Sequence, residues 1–268
     1  MAGKFIRVIR DSKSGRWEIL VPRREKRPDQ HGGAKAKHPC PFDIGNEEMS
    51  EEIMRVSDEK GDWRVRVVKN LYAITDIHEV IVHSPQHESS FAEMSEEHIQ
   101  LIFKVYQERF EALKDRGYPL IFHNHGEKAG ESLTHGHSQL AVVPKHYGMN
   151  VPEVGEAENI AFRTKSLVVY CPTFSAFPYE TWIQPQRLGG TFAEASSEQV
   201  TELASALRRV VVSFGIHRED LPYNFYIYPD RGWYLRLVGR TKVDGGFEIG
   251  SGIAVNTIDP KDVVSFLS

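Results

Sequence analysis

The chain has 268 residues, of which 40% are hydrophobic and 26% are charged, a composition typical of a globular protein that can bury a sizeable core. Its net charge of −4 argues against a general nucleic-acid binder, and no apolar run predicts a spanning helix or a signal peptide. The only cysteines, Cys40 and Cys171, are too few for a disulfide framework. We therefore expect a cytoplasmic protein without nucleic-acid or membrane partners.

The first predicted element is a β-hairpin. Residues 5–10 and 17–21 flank a polar turn that contains Gly15. The basic segment that follows includes Arg24 and Arg27. Its charge by itself is more typical of a solvated surface turn, although guanidinium groups also suit phosphate oxygens.

Two strands and a helix are predicted in the middle of the first half. Residues 63–68 and 77–82 have strand character. A helix is predicted from Ser95, as N-cap, to about Asp115, because its apolar residues recur on one face. Residues 118–122 form another predicted strand, which leads into the next motif.

The segment from Asn124 to Gln139 carries the most distinctive pattern. Its end is a predicted strand, so His135, His137 and Gln139 should share one face. Upstream, glycines bracket a turn whose backbone N–H groups, with the Ser132 hydroxyl, could approach an anion. A His-x-His pair is by itself more often structural. Imidazole is nevertheless a competent nucleophile when its other nitrogen is held as a donor, commonly by a backbone carbonyl.

After residue 165 the sequence begins to repeat itself. Residues 179–183 echo residues 78–82, and residues 192–196 echo residues 91–95 at the same offset. This similarity favours a duplicated half. The stretch 145–165 between the halves is predicted to be a connector with some helix.

The second half is predicted to contain a helix over residues 197–214, with Ser196 and Gln199 at capping-box spacing. Strands are predicted near residues 223–228 and 233–238. The predicted fold is α+β: two tandem halves, residues 1–150 and 151–268, form a long, mainly antiparallel sheet with helices packed on it.

Five ordered pieces of the chain resemble the galactose-1-phosphate uridylyltransferase branch of the histidine-triad superfamily, which includes ADP-sugar phosphorylase-like members. The matching positions of its central signature are Asn124, Gly126, Gly130, Ser132, His135, His137 and Gln139. The resemblance implies two histidine-triad-like halves. It also implies transfer of a nucleoside monophosphate from a nucleotide sugar to a sugar 1-phosphate, as in a hexose-1-phosphate uridylyltransferase, through a covalent intermediate on His137.

Further roles are implied by the same resemblance. Ser132 and Gln139 would donate to the phosphoryl oxygens. The implied nucleotide-binding residues are Arg24, Arg27, Asn70, Asn124, Gly130 and Glu131. The implied sugar-phosphate-binding residues are Lys242, Phe247 and Glu248, in a glycine-rich closing segment that would otherwise be assigned to a loop.

A structural zinc site is implied on Cys40, Asp43, His87 and His135. The family has a second cysteine where this chain has Asp43, so weaker zinc binding and loss of the metal are both open. The second half has Arg187 where the first has His87, and it lacks a His-x-His pair. We therefore predict that the second half is degenerate and holds no second metal.

Other functions also fit the sequence. One is an ADP-sugar phosphorylase or adenylyltransferase, another is a dinucleoside-polyphosphate phosphorylase, and a third is a non-catalytic nucleotide-binding protein. The expected partners are a nucleotide sugar, a sugar phosphate and a second copy of the chain in a homodimer.

Overall fold

The computed structural model describes residues 6–26, 39–87, 89–149 and 151–268. Within these ranges, no helix is both long enough and apolar enough to cross a membrane. The predicted N-terminal hairpin is present, with β1 (Arg7–Arg10) paired antiparallel to β2 (Trp17–Leu20). Residues Pro22–Lys26 form a 3-10 turn directly after it.

The described residues also form one sheet of ten strands and four α-helices. The strands are β3 (Glu52–Ser57), β4 (Trp63–Lys69), β5 (His78–Val82), β6 (Tyr118–His125), β7 (His137–Val143), β8 (Ile160–Arg163), β9 (Leu167–Tyr170), β10 (Thr181–Pro185), β11 (Tyr223–Ile227) and β12 (Leu235–Gly239). The helices are α1 (Glu96–Leu113), α2 (Ser197–His217), α3 (Gly246–Ser251) and α4 (Pro260–Leu267).

The strand order is β3-β4-β5-β7-β6-β11-β12-β10-β9-β8. The pairs β3–β4, β4–β5, β5–β7, β8–β9, β9–β10, β10–β12 and β11–β12 are all antiparallel. The α+β fold with a long antiparallel sheet is thereby confirmed. Two compact units share this chain: unit 1 comprises Met1–Ser89, Arg109–Ile121 and Ser132–Glu153, and unit 2 comprises Ser90–Glu108, Phe122–Glu131 and Val154–Ser268. The division into halves at residue 150 stays a prediction.

In unit 1, the pairing of β5 with β7 positions the motif strand. Val80 lies opposite Gln139 and Val82 opposite His137 in this ladder. Both strands are rich in apolar residues, and burial of such side chains is the main force that holds them together. On β5, Glu79 is also buried, but Arg109 neutralises it through two hydrogen bonds of 2.9 and 2.7 Å.

In unit 2, the predicted capping box begins α2. The Ser196 hydroxyl accepts from the Gln199 N–H at 3.1 Å, and the Gln199 side chain accepts from the Ser196 N–H at 2.9 Å. These two bonds satisfy N–H groups that have no partner inside the helix. The helix continues to His217, three residues past the predicted end.

Several elements differ from the sequence predictions. Residues 145–165 contain no helix in their described part, and β8 begins at Ile160. The glycine-rich closing segment includes the short helix α3 rather than loop alone, because Glu248 accepts the Gly245 N–H at 3.1 Å at its start. Gly252 follows the helix directly, and its φ of +70° suits glycine.

Candidate active site

One pocket of unit 1 collects several predicted site residues. It has a volume of about 300 Å³, and Asn70, Ser132, His137 and Gln139 all line it. Its apolar wall includes Phe42, Met49, Val68, Leu71, Val80 and Leu133. The pocket thus combines a histidine and polar donors with an apolar surface on which a nucleobase could lie.

The imidazole of His137 has a fixed tautomer. Its Nδ1 lies 2.8 Å from the carbonyl oxygen of His135, and because a carbonyl can only accept, Nδ1 carries the hydrogen. In the neutral ring the lone pair is then on Nε2. The side chain is only 7% exposed, so few water molecules compete for this nitrogen. His137 therefore has the arrangement of a nitrogen nucleophile.

The residue between the two histidines must be small. An added Cβ at Gly136 would lie 2.4 Å from the carbonyl oxygen of Ser89, which is far inside a normal contact. The Gly136 carbonyl also accepts from the His83 N–H at 3.0 Å. Glycine therefore permits the close backbone approach that holds this segment in place.

The predicted common face of the motif strand is only partly correct. Strand β7 begins at His137, so His135 lies just before it. His137 and Gln139 line the pocket, whereas His135 contacts Asp43. Ser138 lies behind the strand, where its hydroxyl is 2.9 Å from Nε2 of His83.

The four implied metal ligands come together in unit 1. The candidate ligand atoms of Cys40, Asp43, His87 and His135 all lie within 4.8 Å of one another. Asp43 Oδ1 is 2.5 Å from His87 Nδ1 and 3.1 Å from His135 Nδ1, which in turn is 3.8 Å from Cys40 Sγ. Zinc bonds of about 2.0–2.3 Å place tetrahedral ligand atoms about 3.3–3.8 Å apart. The separation of Cys40 and His135 matches this spacing, whereas Asp43 Oδ1 lies closer to both imidazoles, so the quartet could hold a metal ion once Asp43 moves away from them.

The hydrogen bonding of His135 also fits a cation. Its Nε2 is 2.8 Å from the carbonyl oxygen of Ser84, so Nε2 carries the hydrogen and Nδ1 presents a lone pair toward Asp43. Burial lowers the pKa of His135 and so favours the neutral ring. An unprotonated Nδ1 and the Asp43 carboxylate repel each other unless a positive charge, either a proton or a metal ion, lies between them.

The pKa shifts of Cys40 and Asp43 show which of the two would have to lose a proton to bind a cation. Burial raises the pKa of the Cys40 thiol, and the neighbouring Asp43 raises it further. Partial burial also raises the pKa of Asp43, but its contacts with His87 and His135 outweigh that effect, and the net pKa is lowered. A bound cation would therefore have to displace a proton from Cys40 but not from Asp43.

The predicted nucleotide-binding turn belongs to unit 2 and is closed by its own hydrogen bonds. The Gly126 N–H donates to the Glu131 carboxylate at 2.7 Å. Gly130 has φ +82°, a value that suits glycine, and its N–H donates to the Glu127 carbonyl at 2.9 Å. Several N–H groups expected to face an anion are thus already paired within the turn.

Asn224 holds this turn in place, and sequence reasoning missed it. Its amide donates to the side-chain oxygen of Asn124 and to the carbonyl of Ala129, both at 2.8 Å. Asn224 lies on β11, far along the chain, so only the three-dimensional fold brings it to the turn. The alternation of buried and exposed residues along β11 marks it as a strand residue but not as a turn anchor.

The remaining predicted residues have other contacts. Arg24 donates to the carbonyl of Tyr72, a residue of the pocket wall, and Arg27 lies outside the described residues. In unit 2, Lys242 and Glu248 form an ion pair at 2.6 Å. Phe247 lies on α3 with Glu248 and is largely exposed.

A family model described as galactose-1-phosphate uridyl transferase, N-terminal domain, matches residues 74–142. This segment contains His87, His135, His137 and Gln139. An ADP-glucose phosphorylase from Arabidopsis thaliana is 26% identical over 96% of this chain and 91% of that protein. A galactose-1-phosphate uridylyltransferase from Kluyveromyces lactis is 23% identical over 56% of this chain and 49% of that protein, so the match covers about half of that relative.

Solved structures with a similar fold cover almost the whole chain. The crystal structure of an Arabidopsis thaliana ADP-glucose phosphorylase with bound ADP-glucose has a TM-score of 0.76 at 25% identity, over 98% of both chains. A uridylyltransferase structure has a TM-score of 0.75 at 19% identity, over 97% of this chain and 96% of that chain, which shows a shared fold. The chain is therefore similar, in sequence and in fold, to galactose-1-phosphate uridylyltransferases and to ADP-glucose phosphorylase.

Proposed function

We propose that this chain transfers a nucleoside monophosphate from a nucleotide sugar to a phosphate-bearing acceptor through a covalent nucleotidyl-His137. The main support is the hydrogen bond from His137 Nδ1 to the His135 carbonyl, which leaves Nε2 as the nucleophilic atom in a pocket of suitable size. Ser132 and Gln139 line the same pocket and supply donor groups for phosphoryl oxygens.

Two displacements at one phosphorus atom make up the reaction. In the first, the Nε2 lone pair of His137 attacks the α-phosphorus, an N–P bond forms, and the bond from phosphorus to the bridging oxygen breaks. Sugar 1-phosphate leaves with that electron pair, and the ring becomes cationic, which strengthens its hydrogen bond to the His135 carbonyl. In the second, an acceptor phosphate oxygen attacks phosphorus, the N–P bond breaks, and the neutral ring is restored.

We further propose an ADP-sugar as donor and inorganic phosphate as acceptor, in competition with the hexose-1-phosphate uridylyltransferase reaction. Support comes from the ADP-glucose phosphorylase similarity, which extends over nearly the full length. The pocket wall includes the apolar side chain of Leu71, which offers a flat apolar contact to a purine ring. The smaller pyrimidine ring of a UDP-hexose would cover less of that wall.

We propose that zinc binds at Cys40, Asp43, His87 and His135. Support comes from the ligand types, from their clustering within 4.8 Å of one another, and from the orientation of His135 Nδ1 toward Asp43. When bound, the metal would supply fixed positive charge and rigidity rather than a reacting group. The carbonyl of His135 orients the imidazole of His137, and Gly136 allows the backbone to pass close to the carbonyl of Ser89.

Isotope exchange in the absence of inorganic phosphate tests the proposal. The protein is incubated with ADP-glucose and ¹⁴C-labelled glucose 1-phosphate, and a parallel reaction contains UDP-glucose as donor. A covalent nucleotidyl-enzyme predicts label in the nucleotide sugar, faster with ADP-glucose. Phosphate-dependent product without exchange would contradict the covalent route, and faster exchange with UDP-glucose would contradict the proposed donor. Tight nucleotide binding without exchange or product would indicate a non-catalytic binding protein.

A further inference from the structure

We propose that His78 is a positioning residue that fixes the side-chain amide of Gln139, so that Gln139 presents its Nε2 hydrogens to a phosphoryl group in the pocket. This inference rests on the proposed function for its consequence, because it assumes that Gln139 serves a phosphoryl group. Its structural part, the orientation of one amide, stands on hydrogen bonds alone.

The tautomer of His78 follows from one backbone contact. The Ile74 N–H donates to Nδ1 of His78 at 3.1 Å, and because a backbone N–H can only donate, Nδ1 must hold a lone pair. The neutral ring then carries its hydrogen on Nε2. This Nε2 lies 3.1 Å from Oε1 of Gln139, so His78 donates to the amide oxygen. His78 is buried, with 4% of its surface exposed, and the contact is shielded from solvent.

A second backbone contact fixes the orientation of the Asn70 amide, so that Asn70 also donates to Gln139. The Tyr72 N–H donates to Asn70 Oδ1 at 2.8 Å, which identifies the other amide atom as Nδ2. Nδ2 lies 3.3 Å from Gln139 Oε1 and donates to it. It is also 3.3 Å from Nε2 of His78, and this is a contact between two donors that share one acceptor.

The two donors together distinguish the ends of the Gln139 amide. Its oxygen accepts from both His78 and Asn70, and a flipped amide would place its NH₂ group against both donors. The nitrogen end therefore remains for a ligand in the pocket that Gln139 lines. A donor aimed at a phosphoryl oxygen is the useful end of the amide, whereas a carbonyl there would repel it.

Sheet register explains why His78 is the residue that reaches Gln139. Val80 lies directly opposite Gln139, and His78, two residues earlier on β5, lies opposite Ala141. His78 is thus a diagonal neighbour on the same face, within reach of a long side chain. Its anchor at Ile74 and the anchor of Asn70 at Tyr72 both belong to the loop between β4 and β5. That loop therefore determines how Gln139 is oriented.

Histidine-ring ¹⁵N NMR on the intact protein tests the structural part without any activity. In the wild-type protein, with and without ADP, we expect the ¹⁵N signals of His78 to show a hydrogen on Nε2 and none on Nδ1. We also expect the Gln139 side-chain NH₂ signals to move in His78→Phe. A His78 ring with hydrogen on Nδ1, or Gln139 signals unchanged in His78→Phe, would overturn the proposed orientation.

Single-turnover kinetics tests the catalytic consequence. His78→Phe should slow nucleotidyl transfer to His137 by about tenfold at saturating nucleotide sugar. This loss is smaller than the roughly 10²-fold expected when a hydrogen-bond donor to the phosphoryl group is removed altogether. The affinity for the nucleotide sugar should change little. His78→Gln keeps a donor and should recover part of the rate. Thr75→Val removes the bond from Thr75 to the Ile77 carbonyl in the same loop and serves as the control, with a rate near wild type.

The outcomes separate this inference from the proposed function. Equal rates for wild type and His78→Phe, with the fold intact, would contradict the positioning role. A loss in Thr75→Val as large as that in His78→Phe would show that only loop stability matters and would also contradict it. A wild-type protein that forms no adduct would refute the proposed function, while the NMR result would still decide the orientation of Gln139.

Discussion

The Nδ1–H of His137 donates to the carbonyl oxygen of His135 at 2.8 Å. The side chain of His135 belongs to the Cys40, Asp43, His87 and His135 quartet, while its carbonyl sets the tautomer of the candidate nucleophile. Anything that moves the quartet therefore shifts the acceptor of that hydrogen bond. This relationship gives the two histidines different roles, although they are two residues apart.

Substitution of each histidine should separate these roles. His137→Gly removes the nucleophile and leaves a space for free imidazole, so we expect loss of transfer, partial rescue by added imidazole, and little change in the melting temperature. His135→Gly should lower the melting temperature and metal content, without rescue. Thermal unfolding, metal analysis and imidazole-dependent transfer provide the readouts. Rescue of His135→Gly instead would mean that the motif roles are displaced by two residues.

Gln139→Ala should still form the nucleotidyl adduct, but more slowly. Loss of one donor to the phosphoryl oxygens typically costs about 10²-fold or more in rate. Quenched-flow measurement of adduct formation gives this rate directly. Gln184→Ala is the matched control, because Gln184 is also a buried strand glutamine whose Oε1 accepts a hydrogen bond, from Tyr170 at 2.9 Å. Equal losses in both variants would assign the effect to packing.

Metal removal should destabilise unit 1, and substitution of Cys40 should have the same effect whereas substitution of Cys171 should not. A chelator should lower the melting temperature of the wild type, and Cys40→Ser should have a similar effect and lose metal. Cys171→Ser is the control, since Cys171 is equally buried but lies 3.7 Å from Thr181 Oγ1 and outside the quartet. Asp43→Cys should bind zinc more tightly, because a thiolate suits zinc better. A metal-free wild type with unchanged melting in Cys40→Ser would refute the metal site.

Stability should fall in mild acid, in part through His125. Burial lowers the pKa of His125, although Asp220 and Glu93 raise it in part. Below the ordinary histidine value of about 6.5, the unfolded chain takes up a proton that the folded chain resists, so folding stability falls as pH drops through that value. Urea unfolding above and below that pH should show a larger loss of unfolding free energy in wild type than in His125→Gln. Parallel curves for the two proteins would contradict this assignment.

Much of the fold could be predicted from local patterns. The apolar run after Gln139 identified β7, and Ser196 with Gln199 fixed the start of α2. The edge strands β3 and β8 are not predicted, because neither has a clear alternation of buried and exposed residues. Helix α4 was missed although its signal is present: Asp259 caps it and Pro260 occupies its first turn.

The candidate site was predictable where its residues are close in sequence or match the family. His135, His137 and Gln139 fall within five residues, and the quartet was identified from the resemblance. The support residues His78 and Asn224 were not predicted, because their contacts depend on strand register and on pairing across about a hundred residues. The roles of the sugar-phosphate residues, the homodimer and the cytoplasmic location stay predictions.

The most direct test of the account is the position of a covalent adduct. The wild-type protein is mixed briefly with ADP-glucose, denatured in alkali to preserve an N–P bond, digested and mapped by mass spectrometry. We expect an acid-labile adenylyl group on His137, which is absent from His137→Gly and is removed by glucose 1-phosphate. An adduct on His135 or another residue, or efficient turnover with no adduct at any time point, would contradict the central claim.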